Sequence, residues 1–242
     1  MEKEPYYWAY EKRYQAVYEA GISRWGHSPE DTVLYKTLKT WVETNGLQGK
    51  KVIEFACGEG ACGVILSKLG CIYRGFDISP SAIEKAKEAL APYPNASVAV
   101  LDMVREKAPD GPYDAALDCM GLHMLVTDSD RSAYLQNACA ILRVDAPMLF
   151  FRESYRKNAY EGEVGTFEDW KRISGDDYST PMKRTSKEGI VCEIPLVAAR
   201  ARTEKGYRAE MENAGFSVLD LIEMDINEEI PFSASIFVKK GI

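Results

Sequence analysis

The stretch that decides the fold is Val52-Ile53-Glu54-Phe55-Ala56-Cys57-Gly58-Glu59-Gly60-Ala61-Cys62-Gly63. An apolar run ends, a glycine-rich turn follows, and a helical pattern begins. Gly58 and Gly60 tolerate positive φ and let a ligand approach the backbone. Gly63 permits tight helix–strand packing. The helix N-terminus offers free N–H groups and partial positive charge, which suit a carboxylate or a phosphate. The Gly58-x-Gly60-x-x-Gly63 spacing also fits a dinucleotide fingerprint, with Asp77 near the ~20-residue distance of a ribose-binding acid.

Outward from this loop, strand-like and helical stretches alternate to about residue 152, which implies parallel strands joined by crossover helices. The expected strands are Lys51–Ala56, Cys71–Asp77, Ala96–Asp102, Tyr113–Cys119 and Pro147–Arg152. Helices are expected near 60–69, 80–91 and 129–143. Ser79-Pro80 opens the second with an N-cap and a proline at the first helical position. Thr127 or Asp128 caps the third. An aromatic-rich helical segment is expected over 5–20, and Ser28-Pro29 starts another helix that runs to about Asn45. Residues 153–202 read as polar and irregular, too long for a plain connection and so a functional insertion or lid. A helix near 203–214, closed by Gly215, precedes strands Ser217–Glu223 and Ala234–Lys239.

Three acids separate the readings of the glycine loop. Glu54 lies inside the first strand, where dinucleotide binding gains nothing from it. A cofactor with an ammonium group gains a partner there, directly or through water. Asp77 ends the second strand. Asp102 ends the third and is followed by apolar Met103, an edge-and-face pair for adenine. Each acid alone could be a cap or a solvated strand end. The closing helix, Gly-Phe, strand, turn, strand pattern is also not a second dinucleotide half.

Residues 50–152 and 203–240 resemble the class I S-adenosylmethionine (SAM)-dependent methyltransferases. Glu54 through Gly60 resemble the family's first motif, Phe76-Asp77-Ile78 its second, Leu101-Asp102-Met103 its third and Asp114 through Cys119 its fourth. Two departures stand out. Ala56 occupies the usual place of the first motif's first glycine, and Leu142-Arg143-Val144-Asp145-Ala146-Pro147 lacks the common Pro-Gly-Gly. The resemblance implies an α/β fold: a Rossmann-like seven-stranded sheet, its last strand antiparallel, with helices on both faces. It implies one methyltransferase domain over 1–242, with a helical cap over 1–48 and the lid over 153–202. It implies SAM as cofactor, bound by Glu54, Ala56, Gly58, Gly60, Asp77, Ile78, Asp102, Met103, Asp118 and Cys119. No metal is expected.

The run Ala115 to Leu125, then Asp130-Arg131 and Tyr134 to Arg143, is similar to small-molecule methyltransferases of the thiol, thiopurine and tellurite-resistance type. Trp8, Arg13, Tyr14 and Trp25 resemble their N-terminal segment, which adds Tyr14 and Trp25 to the expected cofactor contacts. His123, just beyond the fourth strand, is the candidate catalytic residue, as a base or polar contact to the acceptor, or else a structural histidine. Tyr7, Tyr10, Tyr14 and Tyr18 follow helical spacing on one face. They form either that helix's packing face or an aromatic cover over the sulfonium or substrate.

Bulk composition bounds the rest. Of 242 residues, 46% are hydrophobic and 28% charged, so a sizeable core is available. The net charge of -7 and the absence of a basic run argue against a nucleic-acid acceptor. Asp118-Cys119-Met120-Gly121 also lacks the Asp/Asn-Pro-Pro-aromatic motif of amino-methylating enzymes. The six cysteines lie mostly in apolar runs, read as inert packing in a reducing cytoplasm. No apolar stretch is long enough to span a bilayer, and the charged N-terminus is not a secretory signal. A small-molecule acceptor is expected, with no membrane or nucleic-acid partner. The alternative is a SAM sensor or partner-binding module without turnover.

Overall fold

Side chains of β1 (Lys51–Phe55) alternate between two cores, as a strand covered on both faces requires. Val52 joins Leu34, Leu38, Trp41, Leu66 and Leu149 on one face. Ile53 and Phe55 join Tyr134, Leu135, Phe150, Tyr207 and Met211 on the other. The structure is a computed structural model that describes residues 4–186, 189–224 and 232–241.

After a short 3-10 turn, Tyr6–Trp8, come α1 (Ala9–Glu19) and α2 (Thr32–Asn45), then β1. There follow α3 (Ala61–Lys68), β2 (Ile72–Asp77), α4 (Pro80–Leu90), β3 (Ala96–Val100), β4 (Ala115–Cys119), α5 (Asp128–Ala140) and β5 (Pro147–Ser154). The remainder is α6 (Phe167–Ser174), β6 (Met182–Thr185), β7 (Val191–Ile194), α7 (Glu204–Asn213), β8 (Phe216–Glu223) and β9 (Ser233–Lys240). The seven-stranded sheet has the order β3-β2-β1-β4-β5-β9-β8. β1 pairs in parallel with β2 and β4, whereas β9 runs antiparallel to both its neighbours, β5 and β8. This is the Rossmann-like sheet that the family resemblance implies. Strand order reverses between β1 and β4, and ligands in such sheets bind beyond the carboxyl ends of the strands at that point.

Two regions differ from expectation. The helix expected from Ser28-Pro29 begins at Thr32, because the Asp31 carboxylate accepts the Val33 and Leu34 N–H groups at 2.9 and 3.0 Å. Its side chain satisfies two donors that the helix start leaves free. The stretch 153–202 is not irregular. β5 continues to Ser154 through a bulge, with Arg152 at φ 57. α6 is set by a reciprocal capping box between Thr166 and Asp169 and buries Trp170. The β6–β7 hairpin packs Cys192 and Ile194 against Val17 and Ile22 beside α1.

Much of the polarity of 153–202 is internal. Arg200 is buried and donates to the Val126 and Gly162 carbonyls and to Asp128. Arg202 pairs with Glu161 and Glu210, and Glu210 also takes both ends of the buried Arg131 fork. Buried guanidinium groups persist where carboxylates and carbonyls fill their donor positions.

Candidate active site

The glycine loop leaves β1 at Ala56, whose φ is 54, and turns through Gly58 (φ 50) and Gly60 (φ 79) into α3. A residue with a Cβ is strained at such an angle. Ala56 therefore sits in the conformation that a glycine, the family's usual residue there, adopts freely. A Cβ on Gly58 would meet the Tyr14 hydroxyl at 2.9 Å, so Tyr14 lies directly over the loop. Asp77, at the end of β2, accepts the Gly58 N–H on Oδ2 and the Ser79 N–H on Oδ1, both at 2.8 Å. Burial pushes its carboxyl up to about 6, although those two backbone donors favour the charged form. Each carboxylate oxygen keeps a lone pair for a further donor such as a ribose hydroxyl.

Beside Asp77, a cleft of about 300 Å³ is lined by Pro5, Trp8, Ile78, Val100, Asp102 and Arg105, among others. Apolar walls with an acid at the rim suit a flat heterocycle with an amino edge. Asp102 accepts the Tyr7 hydroxyl at 3.1–3.2 Å and the Val104 N–H at 3.0 Å. Met103 is not in the cleft. Its side chain is buried in the core, so the apolar wall comes from Ile78 and Trp8. Glu54 is also remote from open space. It is 1% exposed, takes a hydrogen bond from the Tyr73 hydroxyl, and burial drives its carboxyl well above the usual range.

The N-terminal segment is fastened to this machinery by two acids that the sequence reading passed over. Glu59, inside the glycine loop, accepts the Tyr18 hydroxyl at 2.8 Å, the Trp25 N–H and the Gly26 N–H. Glu11, on α1, accepts the Ser79 and Ser81 hydroxyls at the start of α4. Both carboxylates are buried. Of the four tyrosines on one face, Tyr7 reaches Asp102, Tyr14 the glycine loop, Tyr18 Glu59, and Tyr10 the Ala198 carbonyl. The face binds the cofactor loops on one side and the 153–202 segment on the other. An acid between two loop glycines was the available signal for Glu59; nothing local marked Glu11.

The ends of β4 and β5 form the second half of the site. A Cβ on Gly121 would lie 2.7 Å from the Ala56 Cβ, so the turn after β4 abuts the glycine loop. Asp118, fully buried, accepts the Gly121 N–H at 2.6 Å and the Tyr134 hydroxyl at 2.7 Å. Burial, and then Glu153 beside it, raise its carboxyl well above the ordinary range. Cys119 is half-buried, and its thiol is lowered, by a hydrogen bond with Cys62 first and by His27, against the effect of burial. The buried Cys71 thiol, by contrast, is pushed up by burial to about 11. His27 sits 3.5 Å from Asp31 and 3.1 Å from the Met120 sulfur. His123 is 6% exposed and lies 2.9 Å from Glu153 through Nδ1. Among the described residues no cluster of metal-ligating groups occurs, and no helix is long and apolar enough to cross a membrane.

Residues 52–145 match the model of the methyltransferase domain family. The match runs from β1 through the glycine loop, Asp77 and Asp102 to the turn before β5. The matched span, about two fifths of the chain, is similar to a methyltransferase domain. The chain is 24% identical over 173 residues to YqeM of Bacillus subtilis (strain 168), a protein designated a methyltransferase, covering 68% of the chain and 67% of that protein. Magnesium protoporphyrin IX methyltransferase of Synechocystis PCC 6803, solved with bound SAM, covers all of both chains at a TM-score of 0.64 and 14% identity. The 1,6-didemethyltoxoflavin-N1-methyltransferase of Burkholderia thailandensis, solved with its acceptor and S-adenosylhomocysteine, superposes at 0.66 and 13% identity, covering 97% of this chain and 88% of that one. At such identities these structures share the fold. SAM is bound in the Synechocystis structure, and the residues present here fit that group. The positive-φ loop admits a carboxylate-bearing chain, Asp77 stands where ribose hydroxyls need an acceptor, and the cleft at Ile78 and Asp102 suits adenine.

Proposed function

We propose that the protein transfers the methyl group of SAM to a small organic molecule held between the β4–β5 ends, α1 and the 153–202 segment. The observation that carries this reading is the convergence at His123. The Arg200 N–H of the segment donates to the His123 carbonyl at 2.8 Å, and the Tyr10 hydroxyl of α1 donates to Ala198 of the same segment at 3.2 Å. The turn after β4 is thus roofed by α1 and by the insertion. Methyl transfer from a sulfonium is a direct displacement, so the protein's task is alignment and exclusion of water. A closed roof over the strand ends does both, and it favours a small acceptor over a duplex. The net charge of -7 points the same way.

In this reading Gly58, Gly60, Ala56 and Asp77 hold the amino-acid and ribose portions, Tyr14 and Trp25 cover them, and Ile78 and Asp102 flank adenine. Glu54 acts through the strand end it stabilises. Asp118 and Cys119 border the reacting methyl group. The resemblance to thiol-, thiopurine- and tellurite-type enzymes, and the small acceptor bound in the Burkholderia structure, support a small-molecule class. The test is a thermal-shift screen of metabolites in the presence of S-adenosylhomocysteine. Hits are then incubated with SAM and products are sought one methyl group heavier. Transfer to a metabolite is the expected result. Stabilisation by nucleic acid alone, with methylated nucleotides as the product, would overturn the reading.

A further inference from the structure

Behind the roofed turn lies a buried chain of polar groups. It runs from His123 through Glu153 and Asp118 to Tyr134. The His123 ring Nδ1 is 2.9 Å from Glu153 Oε2, and the His123 backbone N–H donates to the same oxygen at 2.7 Å. Two contacts to one carboxylate oxygen fix the ring's position and leave Nε2 without a partner among the described residues. Glu153 is fully buried, and its other oxygen, Oε1, has no hydrogen-bond partner. A buried carboxylate oxygen left unpaired is costly. Asp118 lies beside it, and burial first and then Glu153 raise the Asp118 carboxyl well above its ordinary range, which favours its protonated form. Tyr134 and Gly121 hold Asp118 in place.

The nearby cation does not neutralise this pair. Arg131 is committed to Glu210 on two nitrogens and to the Leu122 and Leu125 carbonyls. Tyr10 and Tyr207 also face Glu153, and burial raises both phenols, so they stay neutral. Glu153 meets the imidazole at Nδ1; with the ring hydrogen donated there, Nε2 presents a lone pair.

Resting on the methyltransferase reading of this site, we infer that His123, oriented by Glu153 and Asp118, is the general base of the reaction, and that the acceptor atom is a hydroxyl oxygen. A thiol ionises readily and an amine attacks through its lone pair, so neither requires a base at the moment of transfer. A hydroxyl does. The O–CH3 bond forms as the S–CH3 bond breaks. The bonding pair returns to sulfur to leave a neutral thioether, and the hydroxyl proton passes to His123 Nε2. Glu153 and Asp118 are positioning residues that act through the ring.

Two measurements test this. The first needs no acceptor. The chain has two histidines, so long-range proton–nitrogen NMR, with His27→Asn for assignment, reads the His123 ring directly. The neutral ring should carry its hydrogen on Nδ1, and Glu153→Gln should abolish that preference. A wild-type ring protonated on Nε2 would overturn the relay. The second compares methyl transfer from SAM to phenol and to thiophenol at neutral pH. His123→Gln should lower transfer to phenol by about 100-fold or more and leave transfer to thiophenol within about threefold. S-adenosylhomocysteine affinity should be unchanged, showing an intact fold. Glu153→Gln should follow the same pattern more weakly. Equal losses on both probes, or none, would refute the base. Transfer to neither probe would count against the small-molecule reading, and the ring tautomer would still decide the relay.

Discussion

The glycine-loop half and the roof half of the site are built on opposite principles. From β1 to Asp102 every part is local. A strand end, a turn and a helix start are contiguous in sequence, and their backbone donors meet Asp77 only 19 positions away. The roof depends on distant partners. Tyr18 and Trp25 reach Glu59, Glu11 reaches Ser79 and Ser81, and Tyr10 reaches Ala198. The first half has the geometry of a general cofactor cradle. The second is a set of long-range clasps around the proposed acceptor site. Loops and insertions on a rigid scaffold commonly set specificity in this way.

The sharpest way to break this contrast is Asp77→Ala. It removes the acceptor for the ribose and for the Gly58 and Ser79 N–H groups. Each charge-assisted bond is worth roughly 1.5–3 kcal/mol, so SAM affinity measured by calorimetry should fall by about 100-fold or more. Unchanged affinity would detach Asp77 from the cofactor. The same residue predicts a pH effect. Its carboxyl lies at about 6, so it takes up a proton as pH falls through that value and loses an acceptor site. S-adenosylhomocysteine affinity should weaken on going from pH 7 to pH 5, by up to about tenfold per pH unit below 6. A flat wild-type profile, or a pH dependence that persists in Asp77→Asn, would contradict this.

On the roof side, Glu59→Ala leaves the Trp25 and Gly26 N–H groups and the Tyr18 hydroxyl without their acceptor. We expect a loss of about 1–3 kcal/mol in denaturant unfolding and faster hydrogen exchange in α1. Protection in β1 and β2 should be little changed. Loss of protection throughout the sheet would mean that the two halves are one cooperative unit. The smallest effect belongs to Ala56→Gly. Relief of φ 54 outweighs the added freedom of the unfolded chain. The variant should be more stable by roughly 0.5–1 kcal/mol, with SAM still bound.

Legibility in the sequence follows the same divide. The parallel strands and the glycine loop could be read because each is encoded by neighbouring residues; the sheet's antiparallel closure came only with the family resemblance. Met103 misled because an apolar residue after a strand-end acid serves a core as well as an adenine face; here Asn137 on α5 takes the Met103 carbonyl, and the side chain turns inward. Glu11 reads as a solvated helical charge until Ser79 and Ser81 are brought to it from 68 and 70 positions away. The capping box Thr166–Asp169 was visible locally. It was obscured by the polar residues around it, of which Arg200 and Arg202 proved to be buried staples.

The central claim is that the local half is a SAM cradle. Isothermal calorimetry of the purified protein with SAM, S-adenosylhomocysteine and NAD tests it directly. The account predicts one-to-one binding of the first two and none of NAD. Tight NAD binding without SAM binding would contradict it.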